Sequence, residues 1–210
     1  MSTGATSTGG TRPGRLALVR HGQTEWSLSG QHTSVTDLDL TEAGEREAEQ
    51  LTELLAGLGI RPRTVLSSPR MRALRTATLA GFTVDELVDD LVEWNYGQYE
   101  GRTTADIHRE RPGWEIFHDG APDGESPEDV AARADRALEH AWQAAAVGGD
   151  VLLFSHGHLG RALAVRWAGL PIAAGSVLAM DAAAVTVLKL DRGVRMIDHA
   201  NVVPLRPVGA

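Results

Sequence analysis

Hydrophobic and polar positions alternate along the chain in blocks that predict strands and helices in turn. Leu16-Ala17-Leu18-Val19 is a short apolar run suited to a buried strand. Thr41 is a cap for a helix whose apolar face is Leu51, Leu54, Leu55 and Leu58, at helical spacing, with Gly59 to stop it. Thr64-Val65-Leu66 predicts a second strand. Ser68-Pro69 predicts a helix start, with Ser as N-cap and Pro at the first helical position. Ser126-Pro127 predicts another, whose apolar face is Val130, Ala134, Ala137, Leu138, Ala141 and Ala145. Val151-Leu152-Leu153-Phe154 predicts a third buried strand, and Leu159 to Trp167 a helix ending at Gly169-Leu170-Pro171. Ala183 to Leu190 and Val194 to Ile197 predict closing strands around the turn Asp191-Arg192-Gly193. Strands alternating with helices predict an α/β domain, a three-layer α/β/α sandwich, its sheet mainly parallel with an antiparallel edge strand. The expected division is a flexible tail over 1–14, rich in Gly, Ser and Thr, and a single domain over 15–205. The stretch 94–125, rich in Gly, Pro and aromatics, predicts an irregular insertion or lid.

Composition narrows the class. The 210 residues carry a formal net charge of −8, which argues against a nucleic-acid-binding face. Cysteine is absent, which excludes a disulfide scaffold, thiolate zinc and a cysteine nucleophile, and fits a reducing cytoplasm. No apolar run is long enough for a membrane span, and the start of the chain lacks the pattern of a secretion signal. Of the 20 basic residues, Lys189 is the one lysine. Arginine offers a planar fork suited to phosphate or carboxylate.

The chemistry is concentrated in a near-duplication. One apolar run ends in Val19-Arg20-His21-Gly22, another in Phe154-Ser155-His156-Gly157. Ligands of open α/β sheets bind outside the carboxyl ends of the strands, so both imidazoles can reach one site. A lone histidine is more often structural, but two His-Gly pairs at matched positions are not explained that way. The other six histidines lack this context, although His32 and His158 fall near the same site. Arg72 lies in the first turn of the helix expected after Ser68-Pro69, where a guanidinium can clamp an anion. Glu93 is the candidate carboxylate, and Trp94 and Tyr96 beside it predict partial desolvation, a setting suited to a general acid.

Four blocks together resemble the histidine phosphatase superfamily: Arg20-His21-Gly22-Gln23-Thr24, the segment from Ser67-Ser68-Pro69 through Arg72-Ala73 to Thr76-Ala77, Glu93 with Gly97, and Ser155-His156-Gly157. They stand in family order, and the resemblance spans roughly 15–200. It implies that His21 is the nucleophile that becomes phosphohistidine. It implies that Arg20, Arg72 and His156 hold the phosphoryl oxygens, that Glu93 protonates the leaving alcohol, and that no metal or other cofactor takes part. Finer features, Gly22 to Ser27, Ser29 to Thr33, Glu93 to Gly97 and His156 to Arg161, resemble the branch of sedoheptulose-1,7-bisphosphatase and an actinobacterial broad-specificity acid phosphatase. In that branch the positions of Gln31, Thr33, Tyr96 and Arg161 approach a sugar phosphate. Gln23, Thr24 and Gly157 are expected beside the phosphoryl pocket. Ser27 and His32 depart from the branch pattern. The implied function is metal-independent phosphomonoester hydrolysis of a small sugar phosphate, with a bell-shaped pH profile and an acidic to neutral optimum. The expected partner is thus a small phosphorylated substrate rather than nucleic acid or membrane. Homodimers are common in the family.

Four other readings compete. Phosphoglycerate mutases resemble the same blocks, but they usually carry a longer segment between the glutamate and the second histidine. A non-catalytic phosphate-binding protein of this fold would be expected to have lost His21, Glu93 or an arginine. Asp37-Leu38-Asp39-Leu40-Thr41 fits the motif of magnesium-dependent aspartyl phosphatases, yet the polar residues before it make a poor buried strand. His156 and His158 are spaced to ligate a metal, but no carboxylate cluster accompanies them.

Overall fold

The computed structural model describes residues 14–204. The expected tail lies outside the described residues except for Gly14, whose N–H donates to Ala145 O at 2.9 Å. In chain order the elements begin with β1 (Leu16–Arg20), α1 (Glu25–Ser29), α2 (Glu42–Glu49), α3 (Leu51–Gly57) and β2 (Pro62–Ser67). They continue with α4 (Met71–Leu79), β3 (Glu86–Leu87), α5 (Thr104–Glu110), α6 (Ile116–Asp119) and α7 (Pro127–Ala146). The chain closes with β4 (Asp150–Ser155), α8 (Gly157–Trp167), β5 (Val185–Asp191) and β6 (Val194–Val202).

One six-stranded sheet runs in the order β3-β2-β4-β1-β5-β6. The first four are mutually parallel, and β5 and β6 are antiparallel to their neighbours. Period-2 alternation divides the strands between two cores. Leu16, Leu18, Leu66, Val151 and Leu153 face α7 and α8, while Ala17, Val19, Val65, Leu152 and Phe154 face α3 and α4. This is the three-layer sandwich expected. It sets the carboxyl ends of β1 and β4 side by side, with Arg20 in register with Ser155.

Ser126 caps α7 reciprocally with Asp129, and all six residues of its expected apolar face are buried. Thr41 caps α2, but the single helix expected over 41–58 is interrupted at Gln50. The helix expected at Ser68 begins at Met71. Ser68 is still tied to the sheet through Phe154 O, and Asp37 Oδ1 accepts from the Met71 N–H. The stretch 94–125 is no loose lid. It contains α5 and α6 and buries Trp94, Tyr96, Tyr99, Ile107, Trp114, Ile116 and Phe117 in the core beneath α7.

After β1 the backbone meets α2 almost in contact. A Cβ on Gly22 would lie 2.3 Å from Gly44 O, and one on Gly44 2.1 Å from Gln23 O. Only glycine permits that approach. It presses the His21 loop against the start of α2, where Thr41 N–H donates to Gln23 O.

Candidate active site

His21 and His156 leave adjacent strand ends, and their ring centroids lie 5.2 Å apart. His21 Nδ1 is 2.8 Å from Gly22 O. A carbonyl can only accept, so Nδ1 carries the proton and Nε2 keeps its lone pair. Burial, then the charges of Arg20 and Arg72, hold His21 well below the ordinary imidazole value of 6.5, against the Gly22 hydrogen bond. The ring is therefore neutral at neutral pH. The Gly22 N–H donates to Thr76 Oγ1 on α4, which fixes the loop.

His156 is oriented from both sides. Arg72 Nε donates to Nδ1 at 3.2 Å, leaving Nε2–H to face Ser68 Oγ at 2.9 Å. Burial and then Arg72 keep it neutral as well. His156 has both nitrogens engaged, and His158 Nδ1 pairs with Tyr96 Oη at 2.5 Å. Among the described residues no group of three or more His, Cys, Asp or Glu is placed to hold a metal ion. The aspartyl-phosphatase motif is also spoken for. Thr41 is a helix cap, Asp39 pairs with Arg75, and Asp37 sits in a loop at the start of α4.

Glu93 is buried. Its Oε1 accepts from the Trp94 and Leu159 N–H groups at 2.9 and 2.8 Å, and Oε2 from the His158 N–H at 3.0 Å. Two of these donors belong to the first turn of α8, so the carboxylate caps that helix while lining the pocket. Arg133, buried on α7, holds the Glu93 loop by donating to the carbonyls of Asp90, Val92 and Glu93 and pairs with Glu125. Sequence reading missed it. The signal was a charged residue three positions after Val130, inside an otherwise apolar stripe.

A pocket of about 260 Å³ opens over these groups. Arg20, His21, Glu93, Gly157, Gln31, Thr33, Tyr96 and Arg161 line it, and His32, His158, Ser27, Met180 and Asp181 join them. Arg20 Nη1 donates to Met180 O at 2.6 Å, and its buried Nε finds no acceptor among the described residues. The larger hollow of about 510 Å³ against Met71, Leu74 and Leu79 contains none of these groups.

Two expectations need correction. Gln23 turns away: its Oε1 accepts from Thr41 Oγ1. Thr24 is fully buried as the N-cap of α1. Arg72 and His156 are buried, and neither is among the residues that line the pocket. Arg72 donates to Thr36 O, Thr33 O and Ser34 O as well as to His156, because a buried guanidinium must satisfy its donors with whatever acceptors are near. The loop that supplies those carbonyls is itself held by Glu100, which accepts from Ser34 and Thr36 N–H.

The buried histidines make stability depend on pH. Burial holds His32 down to about 4, with Glu100 acting weakly against it. The unfolded chain then takes up a proton near 6.5 that the folded chain refuses. Stability from this residue is fully present above pH 6.5 and is lost as pH falls through about 4. At about 1.4 kcal/mol per pH unit, the loss reaches roughly 3 kcal/mol. Urea unfolding of wild type and His32→Phe at pH 6.5 and 4.0 measures it. The variant is expected to lose that much less stability on acidification, and an identical loss would refute the assignment.

Comparisons with known proteins point to one family. The family model described as histidine phosphatase superfamily (branch 1) matches residues 16–203. An acid phosphatase of Mycobacterium tuberculosis is 44% identical over 188 residues, 90% of this chain and 92% of its own. A sedoheptulose 1,7-bisphosphatase of Saccharomyces cerevisiae is 35% identical, over 75% of this chain and 69% of its own. A solved structure of an open reading frame product from Mycobacterium tuberculosis superposes with a TM-score of 0.88 at 42% identity, covering 92% of this chain and all of that one.

Proposed function

The chain belongs to the histidine phosphatase superfamily (branch 1) and is a phosphatase, and from that premise we propose that it hydrolyses a small sugar phosphate through phosphohistidine at His21. The observation that carries the reading is the tautomer of His21. Its Nδ1 is committed to Gly22 O, so the Nε2 lone pair is the free one, in a pocket shared with Glu93 and the unpaired Arg20 Nε–H.

In the first step His21 Nε2 forms a bond to phosphorus as the bond to the leaving oxygen breaks, and Glu93 supplies the proton that oxygen needs. In the second, water attacks phosphorus, Glu93 takes its proton, and inorganic phosphate leaves as His21 is restored. A dianion repels a nucleophile until its charge is met, which is the work of Arg20, Arg72 and His156. Arg72 reaches the phosphoryl oxygens by exchanging the neutral carbonyls of Thr33, Ser34 and Thr36 for charged acceptors. Charge-assisted hydrogen bonds are about twice as strong as neutral ones, so the exchange is favourable. The sugar phosphate follows from the size of the pocket, its hydrogen-bonding wall of Gln31, Thr33 and Tyr96, and the name of the yeast relative.

Rapid acid-free quenching of turnover with labelled phenyl phosphate tests the covalent route. The expected product is an alkali-stable, acid-labile phosphoryl group on the peptide bearing His21, formed equally well in EDTA. Full-rate turnover with no such adduct on the millisecond scale would exclude phosphohistidine.

A further inference from the structure

Glu93 stands on a stretch, residues 92–96, that belongs to no helix or strand. Its backbone polar groups have no ladder to satisfy them, so partners must come from elsewhere. They come from α7 and the residue just before its cap. Arg133 uses all five of its N–H donors on this task. Nη1 donates to Asp90 O at 3.0 Å and to Val92 O at 2.6 Å, and Nη2 to Glu93 O at 3.4 Å. The other two meet Glu125, Nε at Oε1 and Nη2 at Oε2, at 2.9 and 2.8 Å. Glu125 closes the clamp. Its Oε2 also accepts from the Asn95 N–H at 2.8 Å, its own N–H donates to Asn95 O, and its carbonyl accepts from Trp94 Nε1.

We propose that Arg133 and Glu125 are positioning residues for proton transfer, fixing where the Glu93 carboxyl stands against the leaving oxygen. The proposal rests on the phosphatase reading above, in which Glu93 moves that proton. It extends the reading to two residues that line no part of the pocket.

The contacts of the pair fall on every residue from Asp90 to Asn95 except Leu91, whose carbonyl accepts from the Ser155 hydroxyl at 2.9 Å. A buried ion pair is seldom worth more to stability than apolar side chains of the same volume. Stability alone therefore gives α7 no reason to carry an arginine inside its apolar stripe, whereas the geometry of one loop does. The carboxyl end of Glu93 is held separately, by the N–H groups of His158 and Leu159 in α8. Glu93 is thus fixed between two anchors, its backbone to α7 and its carboxyl to α8. Arg20 and His21 lie on β1 and its loop and have no bond to the clamp. A shift of the clamp moves the proton donor and leaves the nucleophile in place. Lysine at 133 would keep the charge beside Glu125, but its donors radiate from one point and cannot serve three carbonyls and a carboxylate together.

The experiment measures kcat/KM for phenyl phosphate and p-nitrophenyl phosphate in wild type, Arg133→Lys, Glu125→Gln and Glu93→Gln. The esters are close in shape, and phenolate is the poorer leaving group, the one that needs the proton. kcat/KM covers the steps through the first phosphoryl transfer, so hydrolysis of phosphohistidine does not enter. In both clamp variants the phenyl-to-p-nitrophenyl ratio is expected to fall about tenfold, in the direction of Glu93→Gln, with inhibition by vanadate within about threefold of wild type; misplacing a reacting group by about 1 Å can cost about 100-fold. Partial unfolding lowers both rates together and leaves the ratio unchanged. Should Arg133→Lys fail to fold, Glu125→Gln decides alone. Ala141→Gly, buried about two turns further along α7, loosens the helix without touching the clamp and is expected to keep the wild-type ratio. A ratio unchanged in the clamp variants but lowered in Glu93→Gln overturns the proposal and leaves the phosphatase reading intact. So does an equal fall in Ala141→Gly, or a loss of vanadate inhibition in step with turnover, either of which assigns the pair to general shape. A ratio unchanged in Glu93→Gln as well takes proton transfer away from Glu93, and both fall together.

Discussion

His21→Ala is expected to lower kcat/KM for every phosphomonoester by on the order of 10⁴-fold or more, the scale seen when a covalent nucleophile is removed. The reason lies in the arrangement of the pocket. Among the described residues no other side chain offers a lone pair in the position of His21 Nε2. His156 has one nitrogen facing Arg72 and the other facing Ser68, and His158 faces Tyr96. Loss of the ring leaves the Arg20 fork and the Gly157 loop, so substrate binding is expected to survive better than turnover. Steady-state phosphate release gives the first quantity, and equilibrium binding of inorganic phosphate or vanadate the second. A variant that retains more than about a tenth of wild-type kcat would show that water is activated directly and that His21 is not the nucleophile. The acid limb of wild-type kcat/KM is tied to the same atom. Because burial and two arginines hold His21 well below 6.5, its lone pair stays available as the solution becomes acidic. That limb is expected well below pH 6.5.

Glu93→Gln is expected to separate substrates by leaving group. An alkoxide needs a proton as it departs, so kcat for a sugar phosphate should fall by about 10²- to 10⁴-fold, the usual contribution of a general acid. p-Nitrophenolate leaves without help, and the first step with that ester should be affected far less. Its overall rate then becomes limited by hydrolysis of phosphohistidine, for which Glu93 is also the base, so a burst of p-nitrophenol is expected. The substitution has a structural side. A Gln amide at this position turns N–H groups towards the backbone donors of Trp94, His158 or Leu159, and an unsatisfied buried group costs about 1–3 kcal/mol. Comparing both esters on one sample cancels any unfolded fraction. Equal losses on both esters, with no burst, would assign Glu93 to holding α8 rather than to proton transfer.

Parts of this site were legible in the chain itself. The two His-Gly pairs mark strand ends because apolar runs precede them, and Ser126 and Thr41 act as helix caps because their hydroxyls reach N–H groups three residues on. Ser68 shows the limit of such local rules. It carries the cap signature, yet its backbone is drawn into the sheet by Phe154 O and its hydroxyl meets His156. Gln23 and Thr24 belong to the motif by adjacency to His21, but they turn to α2 and α1, because neighbours in a strand-to-loop turn face different ways. Arg133 and Asp181 lie far in sequence from the histidines and carry no motif at all.

The sequence alone determined the alternation of strands and helices, the faces of the long helix α7, and which residues are proposed to react. These depend on periodicity and on residue type, which are local. The tertiary structure decided which groups share space. The sheet order sets β4 between β1 and β2, so His156 meets both His21 and Ser68. The contact of Gly22 with Gly44, the carbonyl cage around Arg72 and the placing of Asp181 in the pocket wall join segments distant in the chain. Such contacts depend on how whole layers pack, and on where each buried polar group finds its partner, and neither is written in the spacing of residues along one strand.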